Sequence, residues 1–189
     1  MSKVKPLRKM LQIKIVLQGS KPLIWRRIVV PNDTSLDKLH EVIQITMGWT
    51  DTHLHQFICN HDFYGIPDDE FMTETKNETG VNLSKFLKRE KDKILYEYDF
   101  GDDWLHEVIL EKVTPFEGTM KIHCTKGVGA CPPEDCGGIH GYYHMLEVLR
   151  NENNPEYDDI LEWLGEELDP NYFELAETNE MLDKYLNKI

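Results

Sequence analysis

The spacing of hydrophobic side chains changes along this 189-residue chain, and that change constrains the fold more than any motif does. Leu11, Ile13, Ile15 and Leu17 recur at period two, as on a half-buried strand, and Leu23 to Val30 follows after a Gly19-Ser20-Lys21-Pro22 turn, which predicts a hairpin. Thr34 with Asp37 forms a capping-box pattern. Leu36, Leu39, Ile43 and Met47 then share one helical stripe that stops at Gly48. Period two returns at His53, His55, Phe57 and Cys59, and again in two strands, 94–99 and 104–113, around a Phe100-Gly101-Asp102-Asp103 turn; His106 shares a face with Trp104, Val108 and Leu110. The polar residues 60–92 predict a long excursion with a short helix near Leu83 to Leu87.

From Tyr142 the spacing becomes helical, with Met145, Leu146 and Leu149 completing one stripe. Asn154 as N-cap and Pro155 as first helical residue open a second helix with Tyr157, Ile160, Leu161 and Leu164 inward and Gly165 as its stop. A last helix is expected to bury Met181, Leu182, Tyr185 and Leu186. Strands first and helices last imply an α+β fold, a mainly antiparallel sheet covered by helices, with a helical C-terminal portion. Residues 1–189 read as one domain, with a sheet-forming part at about 8–115 and a cysteine loop and helical part at about 120–189.

Charge narrows the partners. Residues 1–32 carry eight Lys or Arg and no acid, while the rest holds 13 basic and 34 acidic side chains, for a net charge of −13. Such a surface repels phosphate backbones except near the basic N-terminal strands, so nucleic acid is excluded over most of it and a protein partner fits better. No apolar run is long enough for a membrane span, and polar residues interrupt any signal-like core near the N-terminus. Four cysteines in a chain of this size do not make a secreted disulfide framework. The expectation is a soluble, cytoplasmic protein with reduced or metal-bound thiols.

The densest chemical cluster runs Cys124-Thr-Lys-Gly-Val-Gly-Ala-Cys131-Pro-Pro-Glu134-Asp135-Cys136-Gly-Gly-Ile-His140. Three thiols in thirteen residues invite zinc, which favours thiolates with imidazole in tetrahedral geometry. Cys124, Cys131 and Cys136 supply three ligands. The fourth is open between His140, His144, His106, His55 and His53. The spacing lacks a Cys-x-x-Cys knuckle, and the plainer alternative is that the cysteines are small buried hydrophobes in a rigid Pro/Gly loop. A second candidate group places His53 and His55 opposite Asp99, Asp102 or Asp103, where imidazoles and carboxylates hold a divalent metal or act as acid and base, with Glu134 as a further base. Its plainer alternative is a polar strand surface beside an ordinary Asp/Gly turn. Asp99-Phe100-Gly101 also spells a kinase triplet, but the glycine-rich and His-Arg-Asp loops that would support it are missing.

Trp25-Arg26-Arg27, Leu39-His40 with Ile43-Gln44, Gly48-Trp49, His53-Leu54-His55-Gln56-Phe57, Tyr64-Gly65, Tyr98 to Asp102 with Trp104 and His106, Cys131 to Gly138 with Gly141-Tyr142, Trp163-Leu164-Gly165 and Asp169-Pro170 occur in an order that resembles the Ri-plasmid open-reading-frame-three-like family. The resemblance implies an α+β fold and no established activity, although some members are labelled TnpR resolvases. A recombinase centre needs several arginines around its nucleophile, and five arginines in a chain of −13 argue against one. His140 and His144 lie outside the family pattern, which favours His106, or the His53 and His55 pair, as partners of Cys124, Cys131 and Cys136, with His106 taken as the fourth ligand. Three functions follow as expectations: a zinc-binding or protein-interaction module; a metal-assisted hydrolase or nuclease using His53, His55, Asp99, Asp102, His106 and Glu134; and a DNA-associated accessory protein, which needs Lys14, Lys21, Arg26 and Arg27 on one exposed face.

Overall fold

In the computed structural model, which describes residues 9–67, 75–116, 120–165 and 167–187, eight strands form one sheet. They are β1 (Lys9–Leu17), β2 (Trp25–Pro31), β3 (His55–Cys59), β4 (Asp62–Gly65), β5 (Lys76–Asn77), β6 (Lys93–Tyr98), β7 (Trp104–Pro115) and β8 (His123–Val128). Their spatial order is β5-β4-β3-β6-β7-β1-β2-β8, and all pairs are antiparallel except β4 with β5. The helices are α1 (Leu36–Met47), α2 (Gly138–Val148), α3 (Tyr157–Leu164) and α4 (Leu175–Tyr185). The mixed α+β class with a mainly antiparallel sheet is therefore as expected. No described helix is long and apolar enough to cross a membrane.

The expected hairpin forms in the register Ile13↔Ile28 and Ile15↔Arg26, so the alternating side chains of β1 and β2 share one face. That face carries Ile13, Ile15, Ile28, Val108, Leu110, Tyr96 and Phe57, all fully buried. α1 lies on it through the stripe Leu36, Leu39, Ile43 and Met47, and burial of such side chains stabilises the fold by roughly 1.5–3 kcal/mol each. Gly48 takes φ +100° and closes the helix with its N–H on the Gln44 carbonyl, a left-handed end that a glycine adopts without strain.

The expected capping box is not made. The N-cap is Ser35, with no side-chain cap hydrogen bond. The end of α1 is held instead by residues 78–83: Leu36 N–H donates to Val81 O, Leu83 N–H to Thr34 O, and Gly80 N–H to the Asp37 carboxylate. Tertiary bonds thus occupy groups that the local motif would have served.

Among its described residues, the excursion after β3 contains β4, β5 and one 3-10 turn at Leu83–Lys85. Its expected short helix is reduced to that turn. α3 starts at Tyr157, two residues later than expected, because Asn154 Oδ1 accepts from Glu156 N–H in a tight turn first. Tyr157, Ile160, Leu161 and Leu164 face inward but are only half-buried. On α4 only Leu182 is buried, whereas Met181 and Tyr185 stay exposed.

β8 was not evident from spacing, because its sequence His-Cys-Thr-Lys-Gly-Val alternates poorly. It is an edge strand, and α4 covers it. Asn179 accepts from Cys124 N–H at 2.8 Å and donates to Cys124 O at 2.9 Å; Asn187 does the same for Ile122 at 3.1 and 2.8 Å. Two side-chain amides stand in for a ninth strand.

Candidate metal centre

β3 begins at His55, and His53 precedes it on the approach to the strand. Opposite lies the turn between β6 and β7, closed by Asp103 N–H on Asp99 O at 2.7 Å. Asp99 Oδ1 accepts from Gly101 N–H at 2.9 Å and Asp102 N–H at 3.4 Å, which leaves Oδ2 turned toward His53. The loop before α2 docks on the same turn. Gly137 N–H donates to Asp102 Oδ2 at 3.2 Å, and a Cβ on Gly138 would stand 2.3 Å from Asp102 O. Only glycine permits that approach, and through it Asp135 arrives beside His53.

His53 Nε2 ends 3.7 Å from Asp99 Oδ2 and 3.3 Å from Asp135 Oδ1. The nitrogen is shielded from solvent yet hydrogen-bonds neither carboxylate. All three donor atoms lie within 4.8 Å of one another. Donors at about 2.1 Å from a tetrahedral ion stand about 3.4 Å apart, and the two separations from His53 Nε2 lie near that value. Asp99 is almost buried, with a side chain 10% exposed, whereas Asp135 is 71% exposed and faces solvent.

A second group holds His40, Asp51 and His55, with Glu78 against His55 at 3.0 Å. Its hydrogen bonds run in a ring. Asp51 N–H donates to Gln44 Oε1, Gln44 Nε2–H to the Tyr96 hydroxyl, that hydroxyl to His40 Nδ1, and His40 Nε2–H back to Asp51. The ring assigns His40 the neutral Nε2–H tautomer. Burial, and then the neighbouring His55, push the His40 pKa down. The two imidazoles stack with centroids 3.5 Å apart and planes 7° from parallel. Lone pairs lie in the ring planes, so two rings stacked this way cannot both aim at one ion. Carboxylates orient this pair, and a metal would have to unstack it.

The second group lines a cleft of about 510 Å³ between α1 and β3, and of the first group His53 borders it; Leu54 and Ile66 are exposed at its rim. Asp37, Glu41, Asp51 and Glu78 line it and no Lys or Arg does.

The expected thiolate set Cys124, Cys131, Cys136 and His106 does not converge. Among the described residues, the groups with donor atoms within 4.8 Å are the two above, and neither contains a cysteine. Cys124 sits on β8 and not in the loop. His106 is fully buried, with Nδ1 2.8 Å from Trp104 O and Nε2 without a partner; burial lowers its pKa to about 4. Near Cys131 and Cys124 lies the Arg26 guanidinium, 2% exposed, donating to the carbonyls of Thr46, Trp25 and Val128 and stacked 4.4 Å from Phe173. This fixed cation lies against two of the three thiols. Burial raises Cys131 well above the usual thiol range and Cys136 to about 12.

Glu134 is not a free base. One oxygen accepts from Tyr98 and Thr52 and the other from Thr50, and although burial alone would raise its pKa, these donors hold it below the ordinary value. It clamps the loop to the sheet, as does Trp49 Nε1–H donating to Pro132 O at 3.1 Å. Asp102 serves Gly137. His140 and His144 are exposed, and His144 pairs with Glu156. Arg26 points into the core while Arg27 pairs with Glu111 and Lys14 lies over Trp25, so the basic face that DNA contact required is not assembled. His40, Asp51, Glu78 and Asp135 were not singled out from the sequence as site residues. Asp135 stood beside the glycine pair, the one local sign of a forced turn.

Residues 9–177 match the family described as plasmid pRiA4b ORF-3-like protein. The uncharacterized protein y4hQ of Sinorhizobium fredii (strain NBRC 101917 / NGR234) is 36% identical over 155 residues, 82% of this chain and 80% of that protein. A crystal structure of a protein of unknown function, MM3350 from Methanosarcina mazei Go1, has 38% identity and a TM-score of 0.80, covering 90% of this chain and 98% of that one.

Proposed function

The chain belongs to the plasmid pRiA4b ORF-3-like family, and we propose that it is a metal-binding module in which His53, Asp99 and Asp135 hold one divalent cation, zinc foremost, at the mouth of the acidic cleft. The observation that carries this reading is His53 Nε2, shielded from solvent, unbonded and between two carboxylate oxygens at ligand spacing. One imidazole and two carboxylates neutralise the ion's charge, and imidazole with carboxylate oxygens suits first-row divalent ions. Asp99 is pre-oriented by the amides of Gly101 and Asp102, as outer-shell bonds orient metal ligands generally.

The test is isothermal titration of zinc into untagged protein, with elemental analysis after dialysis. One ion per chain is expected, lost in His53→Ala and Asp99→Asn and kept in Cys131→Ser and Cys136→Ser. Absence of stoichiometric binding, or loss in the cysteine variants alone, overturns the reading.

A second reading, metal-assisted hydrolysis, rests on the small number of protein donors. Three ligands leave a coordination position for water, whose pKa a bound zinc lowers to about 7. The carboxylate-lined cleft repels phosphodiesters, so the substrate class is a neutral or cationic ester or amide. Metal-dependent turnover of p-nitrophenyl acetate that disappears in His53→Ala is the expected result. Turnover that survives that variant removes the reading.

A further inference from the structure

A pocket of about 270 Å³ lies on the β8 side of the sheet, between the β1–β2 turn and α2, away from the acidic cleft. Its polar lining differs from that of the cleft. Lys21 and Arg150 border it and no described carboxylate does, although the chain carries 34 acids against 21 bases. Neither cation is paired with a carboxylate among the described residues. A concavity walled by low-dielectric groups and carrying charge of one sign concentrates counter-ions, so this pocket selects an anion.

The walls are fixed before any ligand arrives. The Ser20 hydroxyl donates to Leu17 O at 2.7 Å and accepts from Ile24 N–H at 2.9 Å, which locks the β1–β2 turn; Lys21 N–H donates to the Tyr143 hydroxyl and ties that turn to α2. On the other side Ala130 N–H donates to Pro170 O at 3.0 Å. Gly129, at φ +78°, lets the chain pass so close to Ile24 that a Cβ would stand 3.0 Å from it. Ile24, Leu146 and Pro170 make the body of the pocket apolar.

We infer that this pocket binds a small organic anion, its carboxylate or phosphate monoester between Lys21 and Arg150 and its apolar body against Ile24 and Leu146. The volume sets the size: it exceeds the cavity of about 150 Å³ that takes benzene and lies near the lower end of small-molecule clefts, about 300 Å³. A substituted aromatic ring fits and a nucleotide does not. The inference is independent of the metal site, because the two share no residue.

The test is ligand-detected NMR and calorimetry on the full chain with phenylacetate and phenyl phosphate as probes, and phenethylamine and inorganic phosphate as controls. One saturable site for at least one aryl anion is expected, and the tighter of the two names the head group. Arg150→Ala is expected to weaken it about tenfold and the Lys21→Ala/Arg150→Ala double variant to abolish it. Both side chains are exposed, so thermal unfolding should be unchanged. Leu146→Trp, which fills the pocket and leaves both charges, should also block binding. No saturable aryl-anion binding by about 10 mM, equal binding of phenethylamine, inorganic phosphate binding as tightly as phenyl phosphate, or undiminished binding by the double variant or by Leu146→Trp would each overturn the inference.

Discussion

Two regions of this molecule carry side chains that metals favour, and they solve opposite problems. Around His53 three donors are held apart by their own turns, with one carboxylate in solvent and no described Lys or Arg lining the cleft that His53 borders. Among the thiols of one stretch of chain, Cys124 and Cys131 lie beside the Arg26 guanidinium, and burial raises all three sulfurs' pKa values. The density of ligand types along a sequence therefore says less than whether the fold leaves an electrostatic vacancy among them. The thiol region is a core with a cation sealed into it; the histidine region is a rim where two carboxylates meet an imidazole.

The contrast can be broken most forcefully at Arg26. Arg26→Met should leave the carbonyls of Thr46, Trp25 and Val128 without their donor and cost about 3–5 kcal/mol by urea unfolding. A loss under about 1 kcal/mol would mean that the guanidinium is not holding this region together.

Acid should act next, through His106. Its pKa is about 4 in the folded chain and near 6.5 when unfolded, so the unfolded state binds more protons between those values. Stability is full above about pH 6.5 and falls as pH drops toward about 4, by about 3 kcal/mol from this group. Urea midpoints across that range check the slope, and His106→Phe should flatten it. An equally steep slope in the variant would assign the acid sensitivity elsewhere.

On the rim, His53→Ala should weaken zinc about 100-fold, near 2.7 kcal/mol, with stability in the absence of metal little changed. The equivalent substitution at Cys136 should leave zinc affinity untouched, and if it does not, the distinction between the two regions collapses. The smallest effect belongs to the amides over β8. Asn179→Ala should cost about 1–2 kcal/mol, because the N–H and C=O of Cys124 lose their partners at a partly solvated edge. Size-exclusion chromatography should then show self-association through the bared strand, whereas a strictly monomeric variant would show that the amides are dispensable there.

Much of the sheet was legible because period two is a direct consequence of alternating side chains against one covered face, and Leu11 to Leu17 and Trp104 to Leu110 follow it closely. β8 escaped because an edge strand clamped by Asn179 and Asn187 needs little alternation of its own. The capping box failed because residues 78–83 arrive from a distance to do its work. In the site, Asp99 was legible as a turn aspartate, whereas His53, read as the first residue of a strand, precedes β3 instead. Asp135 was read as part of a cysteine loop, since nothing local reveals that Gly138 lets that loop press on Asp102. The stacking of His40 on His55 depends on where α1 crosses β3, a relation that neither segment carries alone.

The aspartates at these sites share one more property. Asp51, Asp99 and Asp135 all sit at positive φ, +58°, +57° and +59°. Asparagine would suit such a backbone and lose the charge; glutamate would keep the charge and strain the backbone; glycine would offer no donor at all. Where such a backbone must present a carboxylate, aspartate is the residue that fits it. A search of other chains for the proposed centre should look for aspartates at such turns.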